Sequence, residues 1–334
     1  MILVTGGTGL VGAHLLVYLT EHEQQPIRAL YRNAAAVEKT KALFARYQKE
    51  ALFEKIAWVE ADILDIPALE RAFENCDYVY HCAGLISFNP NDEERLRKVN
   101  IEGTANIVNL CLDFKVKKLC HVSSIAALGS LAPNEAFISE TTEWNPEVAY
   151  SDYAISKYGA EMEVWRGYQE GLPVILVNPG VVFGPGFWNQ GSGVFFSTVQ
   201  KGLPFYTQGS TGYVAVSDVV TIMHQLMISD NVGERYVLVA ENFSFKDMIF
   251  LIAEKLGVKK PRFEARLGLL NLAWKVDWFL HLLFRKPRRL YRLNVKTLTA
   301  QETFSNRKIV ETLGYTFTRM DLYLDSILTQ KNNF

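Results

Sequence analysis

The sequence predicts an α/β protein, a doubly wound parallel sheet with a smaller, mostly helical C-terminal lobe. Three observations point there. Short apolar runs alternate with helix-period stretches through the first half, as strands and crossovers do in parallel sheets. A glycine-rich turn, Thr5-Gly6-Gly7-Thr8-Gly9-Leu10-Val11-Gly12, joins the first run to the first helix, the arrangement of a Rossmann-type dinucleotide fold. Hydrophobic residues make up 49% and charged residues 21% of 334 positions, a balance that supports a packed core and argues against disorder.

Taken in order, Ile2–Thr5, Ile27–Tyr31, Ala57–Glu60, Tyr78–His81, Lys118–Val122 and Val174–Asn178 read as buried strands. They are short, apolar and bounded by turn residues. Val11–Glu21, Glu94–Leu112 and Ala154–Glu170 read as crossover helices. The rhythm breaks after Asn178. Val182–Gly212 is rich in glycine and aromatic residues, with turn signals and little periodicity, and is expected to be a substrate loop. Tyr213–Ser229 and Tyr236–Val239 read as a return to the main sheet, and Phe243–Phe334 as mostly helical material. The expected division is therefore residues 1–181 plus 213–240 for the dinucleotide domain and 182–212 plus 241–334 for the substrate lobe.

Composition narrows the function classes. A formal net charge of -1 gives no reason to expect nucleic acid as a partner. The four cysteines, Cys76, Cys82, Cys111 and Cys120, form no CxxC pair and read as reduced structural thiols, and no metal site is expected. The first strand begins at once, with no signal-peptide pattern ahead of it, so a cytoplasmic location is the expectation.

The glycines at 6, 9 and 12 let backbone approach a pyrophosphate, and the helix opening at Leu10 and Val11 offers free N–H groups and its positive dipole end. The second strand runs into Arg32, where NAD-selective folds carry an acid for the ribose 2′-hydroxyl. A guanidinium there suits a 2′-phosphate, so NADP(H) is expected in preference to NAD(H), with a solvated surface arginine as the competing reading. Asp62 and Ile63 after the third strand, and Ala83 and Gly84 after the fourth, fit an adenosine and ribose laid across the strand ends.

Tyr153 is the one tyrosine with a lysine four positions later, Lys157. On a helix that spacing stacks the two on one face. A phenol has a pKa of about 10, too high for efficient proton exchange at neutral pH, and a neighbouring ammonium together with the charge of an oxidised nicotinamide would stabilise the phenolate and lower it. The strand end Val122-Ser123-Ser124 lies upstream, so Ser124 is expected to hold the substrate oxygen, with Ser123 as its competitor.

With Val99-Asn100-x-x-Gly103-Thr104 and Asn178-Pro179-Gly180 added, these motifs run in the order seen in extended short-chain dehydrogenases/reductases, the epimerase/dehydratase superfamily, which the chain resembles along nearly its whole length. The resemblance implies catalytic roles for Ser124, Tyr153 and Lys157, support from Asn100, and a nicotinamide near Pro179, Val181 and Val182. It is most similar to the dihydroflavonol reductase and 3β-hydroxysteroid dehydrogenase-like branch. Ile125-Ala126-Ala127 follow the serine where sugar-nucleotide dehydratases tend to place an acid. Phe88, Phe183, Phe187, Trp188, Phe195, Phe196 and Tyr206 are expected to line an apolar pocket.

The expected function is thus carbonyl/alcohol interconversion on an apolar small molecule, with a nucleotide-sugar epimerase and a non-catalytic cofactor-binding regulator as alternatives. The resemblance also implies a homodimer through Glu94–Leu112 and Ala154–Glu170. Leu267–Phe284 is apolar but carries Asn271, Lys275, Asp277 and His281, and Arg285, Lys286, Arg288, Arg289 and Arg292 follow. It is expected to cover the substrate cleft or pack on the second lobe, with a peripheral membrane contact at 267–292 as the alternative.

Overall fold

The structure, a computed structural model, describes residues 1–131, 135–284 and 292–329. The first half alternates as the sequence requires: β1 (Ile2–Thr5), α1 (Leu10–His22), β2 (Ile27–Tyr31), α2 (Ala34–Arg46), α3 (Glu50–Phe53), β3 (Ile56–Glu60), α4 (Ile66–Phe73) and β4 (Tyr78–His81). There follow α5 (Glu93–Leu96), a π-helical stretch over Arg97–Glu102, α6 (Gly103–Asp113), β5 (Lys118–Val122), α7 (Asp152–Gln169) and β6 (Val174–Pro179). The second half holds β7 (Val181–Phe183), α8 (Val194–Gln200), β8 (Phe205–Tyr206), β9 (Ser210–Ala215), α9 (Val216–Ile228), β10 (Glu234–Leu238), β11 (Glu241–Ser244) and α10 (Phe245–Lys255). It closes with β12 (Phe263–Glu264), α11 (Leu267–Phe284), α12 (Arg292–Thr299), α13 (Arg307–Leu313) and α14 (Met320–Thr329).

Seven strands form the main sheet in the order β10-β6-β5-β4-β1-β2-β3, all parallel. Both faces are covered. Ile2 and Val4 point into a core with Leu16, Leu19, Val219 and Met223, while Leu3 points into one with Leu69, Phe73, Ile107 and Val164. That two-sided burial is why these strands read as mostly apolar runs. The chain order reverses between β1 and β4, and ligands of open α/β sheets bind at such a reversal, outside the carboxyl ends of the strands.

Four expectations change. Glu94–Leu112 is one continuous helix but not α-helical throughout: it widens into the π-helical stretch, where Asn100 turns its amide onto the backbone of Leu85. Val182–Gly212 is not a loop throughout, since α8 buries Phe196 and Val199 against Phe183, Tyr213 and Met248. Ser210–Ala215 does not return to the main sheet but pairs with β7 and β11 in a sheet of three. Residues 307–317, assigned to the lobe by composition, return to the main core through Ile309, Leu313, Tyr315 and Phe317.

The lobe is tied down at Asp218 in α9. Its buried carboxylate accepts from the Thr318 amide at 2.9 Å, the Thr318 hydroxyl at 2.8 Å and the Tyr315 hydroxyl at 3.1 Å. In α11, Leu270 and Trp274 pack with Ala265 and Val295. Residues 285–291, most of the basic run, lie outside the described residues. No described helix is long and apolar enough to cross a membrane.

Candidate active site

Every expected site residue up to Val182 sits at or just beyond the carboxyl end of a main-sheet strand or on the helices and strand that flank it. The glycine loop is built by contact. Gly6 has a φ of +67°, and a Cβ there would lie 2.6 Å from the Ala83 nitrogen; a Cβ on Gly12 would lie 2.2 Å from the Gly6 carbonyl oxygen. The first turn of α1 therefore rides directly over the loop, which only a missing side chain permits. Gly9 caps α1 without any side-chain hydrogen bond, so the first-turn N–H groups, Leu10 and Val11 among them, carry no side-chain cap and suit an anion. Gly12→Ala is expected to weaken dinucleotide binding by at least about ten-fold, measurable by fluorescence titration with NADPH.

Beyond the ends of β2 and β3, Arg32 and Asp62 meet. The guanidinium lies 3.5 Å from the Asp62 carboxylate, with side chains 59% and 38% exposed, and Asp62 also accepts from the Leu64 amide at 3.0 Å. An exposed pair of this kind contributes little to stability, so Arg32 is available to a phosphate. Ile63 is buried, its carbonyl oxygen held by the Asn106 amide at 3.0 Å.

Just beyond β4, the Ala83 N–H donates to the Thr5 hydroxyl at 3.1 Å. Asn100 then accepts from the Leu85 N–H at 2.7 Å and donates to the Leu85 carbonyl at 3.0 Å and to the Ser156 hydroxyl at 2.9 Å. A π-turn is a recurrent device for aiming one side chain. Here it binds the 83–85 segment to α7. Exposed Gly84 stands between them: a Cβ there would lie 3.5 Å from Asn100 Oδ1 and 3.9 Å from the Lys157 Nζ.

Ser151 caps α7, accepting from the Ala154 N–H at 3.2 Å, and the helix carries Tyr153, Lys157 and Glu161 one turn apart on one face. The Ser124 side chain sits beside the Tyr153 hydroxyl and favours its phenolate, while Ser123 is buried beside the Glu161 carboxylate. Of the two serines, Ser124 is the one that meets Tyr153. Lys157 donates to the Val122 carbonyl at 2.8 Å. Burial pulls its ammonium down to about 8, against the pull of Glu161.

Burial also pushes the Tyr153 phenol upward, with the Ser124 hydrogen bond opposing it. With the ammonium turned to Val122, desolvation sets the direction in the cofactor-free chain. Pro179 is buried at the end of β6, Val182 is buried in β7 and Val181 is half-buried beside it.

The aromatic residues divide. Phe88 is 53% exposed and sets its ring edge-on to Tyr153 at 5.6 Å. Phe183, Phe187 and Phe196 are core residues instead of the pocket lining expected, packed in with Tyr213 or beside His14. Trp188 and Phe195 are partly buried against that core, and Tyr206 packs edge-on to Phe250. Chain alternation had no way to separate an aromatic at a cleft from one under it.

Glu161 was not anticipated. Fully buried, it accepts from the Asn178 amide and from Arg235, whose guanidinium lies 3.2 Å away, and Asn178 also donates to the Ser124 carbonyl at 2.9 Å. Burial pushes this carboxyl up, with Ser123, Arg235 and Asn178 opposing. Its signal was present in the sequence: an acid two helical turns after Tyr153 on a face the tyrosine and lysine already marked as inward. Among the described residues, no three His, Cys, Asp or Glu side chains gather as a metal site would.

Residues 2–238 match the model of the NAD dependent epimerase/dehydratase family. A putative dihydroflavonol 4-reductase of Synechocystis is 27% identical over 93% of this chain and 88% of its own length. A UDP-glucose 4-epimerase of Vibrio cholerae is 26% identical over 94% and 90%. Among solved structures, that of gox2253 superposes with a TM-score of 0.82 at 25% identity, covering 100% of this chain and 98% of its own.

Proposed function

The chain belongs to the NAD dependent epimerase/dehydratase family of extended short-chain dehydrogenases/reductases, and within it we propose an NADP(H)-dependent oxidoreductase that interconverts a carbonyl and an alcohol on an apolar small molecule. That it is an NAD(P)-dependent enzyme follows from the family; the direction, cofactor preference and residue roles are our reading. One observation carries it. The Ser124–Tyr153 hydroxyl pair, with Lys157 a turn below, lies at the sheet edge beside Gly84 and the glycine loop.

In this reading the dinucleotide supplies or takes the hydride, and every proton is handled by the protein. Ser124 orients the substrate oxygen, Tyr153 gives or takes its proton, and Lys157 would turn from Val122 to bond the ribose and stabilise the phenolate. Asn100 holds the 83–85 segment against that ribose. Ile86 and Phe88, 58% and 53% exposed on the segment facing Tyr153, supply apolar surface to a substrate. The name of the Synechocystis relative, a reductase, agrees with this direction.

The test follows NADPH absorbance while purified protein meets a panel of apolar aldehydes and ketones. Oxidation of NADPH by one or more is the expected result. No turnover of any, together with interconversion of a nucleotide sugar without net NADPH loss, would replace the reading by that of an epimerase like the Vibrio cholerae relative. For the cofactor, Arg32→Ala is expected to raise the NADPH Kd about ten-fold and leave that for NADH unchanged. Equal binding of both nucleotides by the unaltered protein would overturn the preference. The reading includes a homodimer through α6 and α7, which light scattering checks.

A further inference from the structure

We propose that His81 is a positioning residue, a neutral imidazole with its proton on Nε2, that locks the cofactor cradle to the π-helical turn. The inference rests on the dinucleotide site proposed above. His81 ends β4 and has no solvent exposure. Its Nδ1 lies 2.7 Å from the Thr5 hydroxyl oxygen and its Nε2 lies 3.0 Å from that of Thr104.

Two further bonds fix every direction. The Thr104 hydroxyl lies 2.6 Å from the Asn100 carbonyl oxygen, which can only accept, so the one Thr104 proton goes there. The bond between Thr104 and His81 must then be donated by Nε2–H. A neutral ring with its proton on Nε2 has Nδ1 free to accept, and Thr5 donates to it. Thr5 in turn accepts from the Ala83 N–H. Protons thus run one way, from Ala83 through Thr5, His81 and Thr104 to the Asn100 carbonyl.

A second ring proton would break this order. Burial, with the Lys157 ammonium adding repulsion, brings the imidazole down to about 3, so the ring stays neutral across the working pH range. The neighbouring ring, His121 of β5, has its centroid 5.1 Å away and is likewise pushed down, chiefly by burial.

What the relay joins gives it a function. Ala83 is the residue that Gly6 must clear, and Asn100 holds Leu85 from the other side. Thr5 and Thr104 belong to the two motifs at Gly6 and Gly103. His81 sets the separation of those motifs, and with it the gap in which Gly84 meets the cofactor. Its loss loosens binding of the nucleotide more than the chemistry at Tyr153.

The first test is nitrogen-15 NMR of histidine-labelled protein, with His81→Asn to assign the signal. A non-titrating ring protonated at Nε2 between pH 5.5 and 9 (about the range in which a free imidazole responds) is expected; protonation at Nδ1, or titration in that range, overturns the proposal. The second compares Thr104→Val with Thr104→Ser. The valine variant is expected to raise the NADPH Kd about ten-fold and the KM with it, leaving kcat at saturating NADPH within about two-fold, and the serine variant to restore both. Unaltered NADPH binding by Thr104→Val ends the positioning role. Failure of the unaltered protein to bind NADPH or NADH would instead remove the proposed function, leaving the tautomer measurement to stand alone.

Discussion

Tyr153→Phe is expected to lower kcat by about 10²- to 10⁴-fold, the usual worth of a positioned proton donor, with the NADPH Kd changed by less than about two-fold. Phenylalanine keeps the ring that packs against Phe88 and removes the hydroxyl that sits beside Ser124. Folding should be little affected, and the loss should fall on the chemical step. The pH profile separates it from its neighbour. Lys157 sits at about 8, below its usual value, so the ammonium is present below pH 8 and is lost as pH rises through 8. Any step that needs its charge should therefore weaken on the alkaline side. NADPH binding by Tyr153→Phe should keep that alkaline fall, and binding by Lys157→Met should be weak at every pH and lack it. A Tyr153→Phe enzyme with undiminished kcat would take the proton transfer away from this residue.

Glu161→Ala is expected to cost about 3–5 kcal/mol of stability, because it leaves the Arg235 guanidinium without its buried partner. Arg235 keeps bonds to the Glu140 carbonyl at 2.6 and 2.9 Å, but a carbonyl supplies no counter-charge. The pair itself contributes much less than this, since burial already strains the carboxylate upward and desolvation offsets most of the attraction. Replacing both residues, Glu161→Met with Arg235→Met, should therefore recover most of the loss. Urea unfolding of the two single variants and the double variant measures the difference. If the double variant were as unstable as the sum of the singles, the cost would belong to packing and not to charge.

The strands were legible because a sheet covered on both faces makes its strands mostly apolar, so the runs Ile2–Val4 and Val174–Val177 announce themselves without help. Tyr153 and Lys157 were legible because one helix brings them together at a fixed spacing, and the glycines because a pyrophosphate loop tolerates nothing else. The π-turn at Asn100 was not, since the same residues satisfy an α-helical period and only the bonds to Leu85 decide the widening. Nor was the Glu161–Arg235 pair: 74 residues separate its members, and local pattern carries no information at that range. The Gly-rich passage concealed α8 for a similar reason. Phe196 is inward because Phe183 and Met248 are there to receive it, and neither is near in sequence.

Asp218 has a consequence for how the molecule is made. Its three bonds come from Tyr315 and Thr318, 97 and 100 positions further on. During synthesis, then, the seven strands of the main sheet are complete while this carboxylate still waits for its donors, and chains emerging from the ribosome fold from the amino terminus first. The second lobe can be fastened only after Tyr315 and Thr318 have been added, so a chain that stopped short of Tyr315 would present a finished sheet with an unfastened lobe to the cell's quality control.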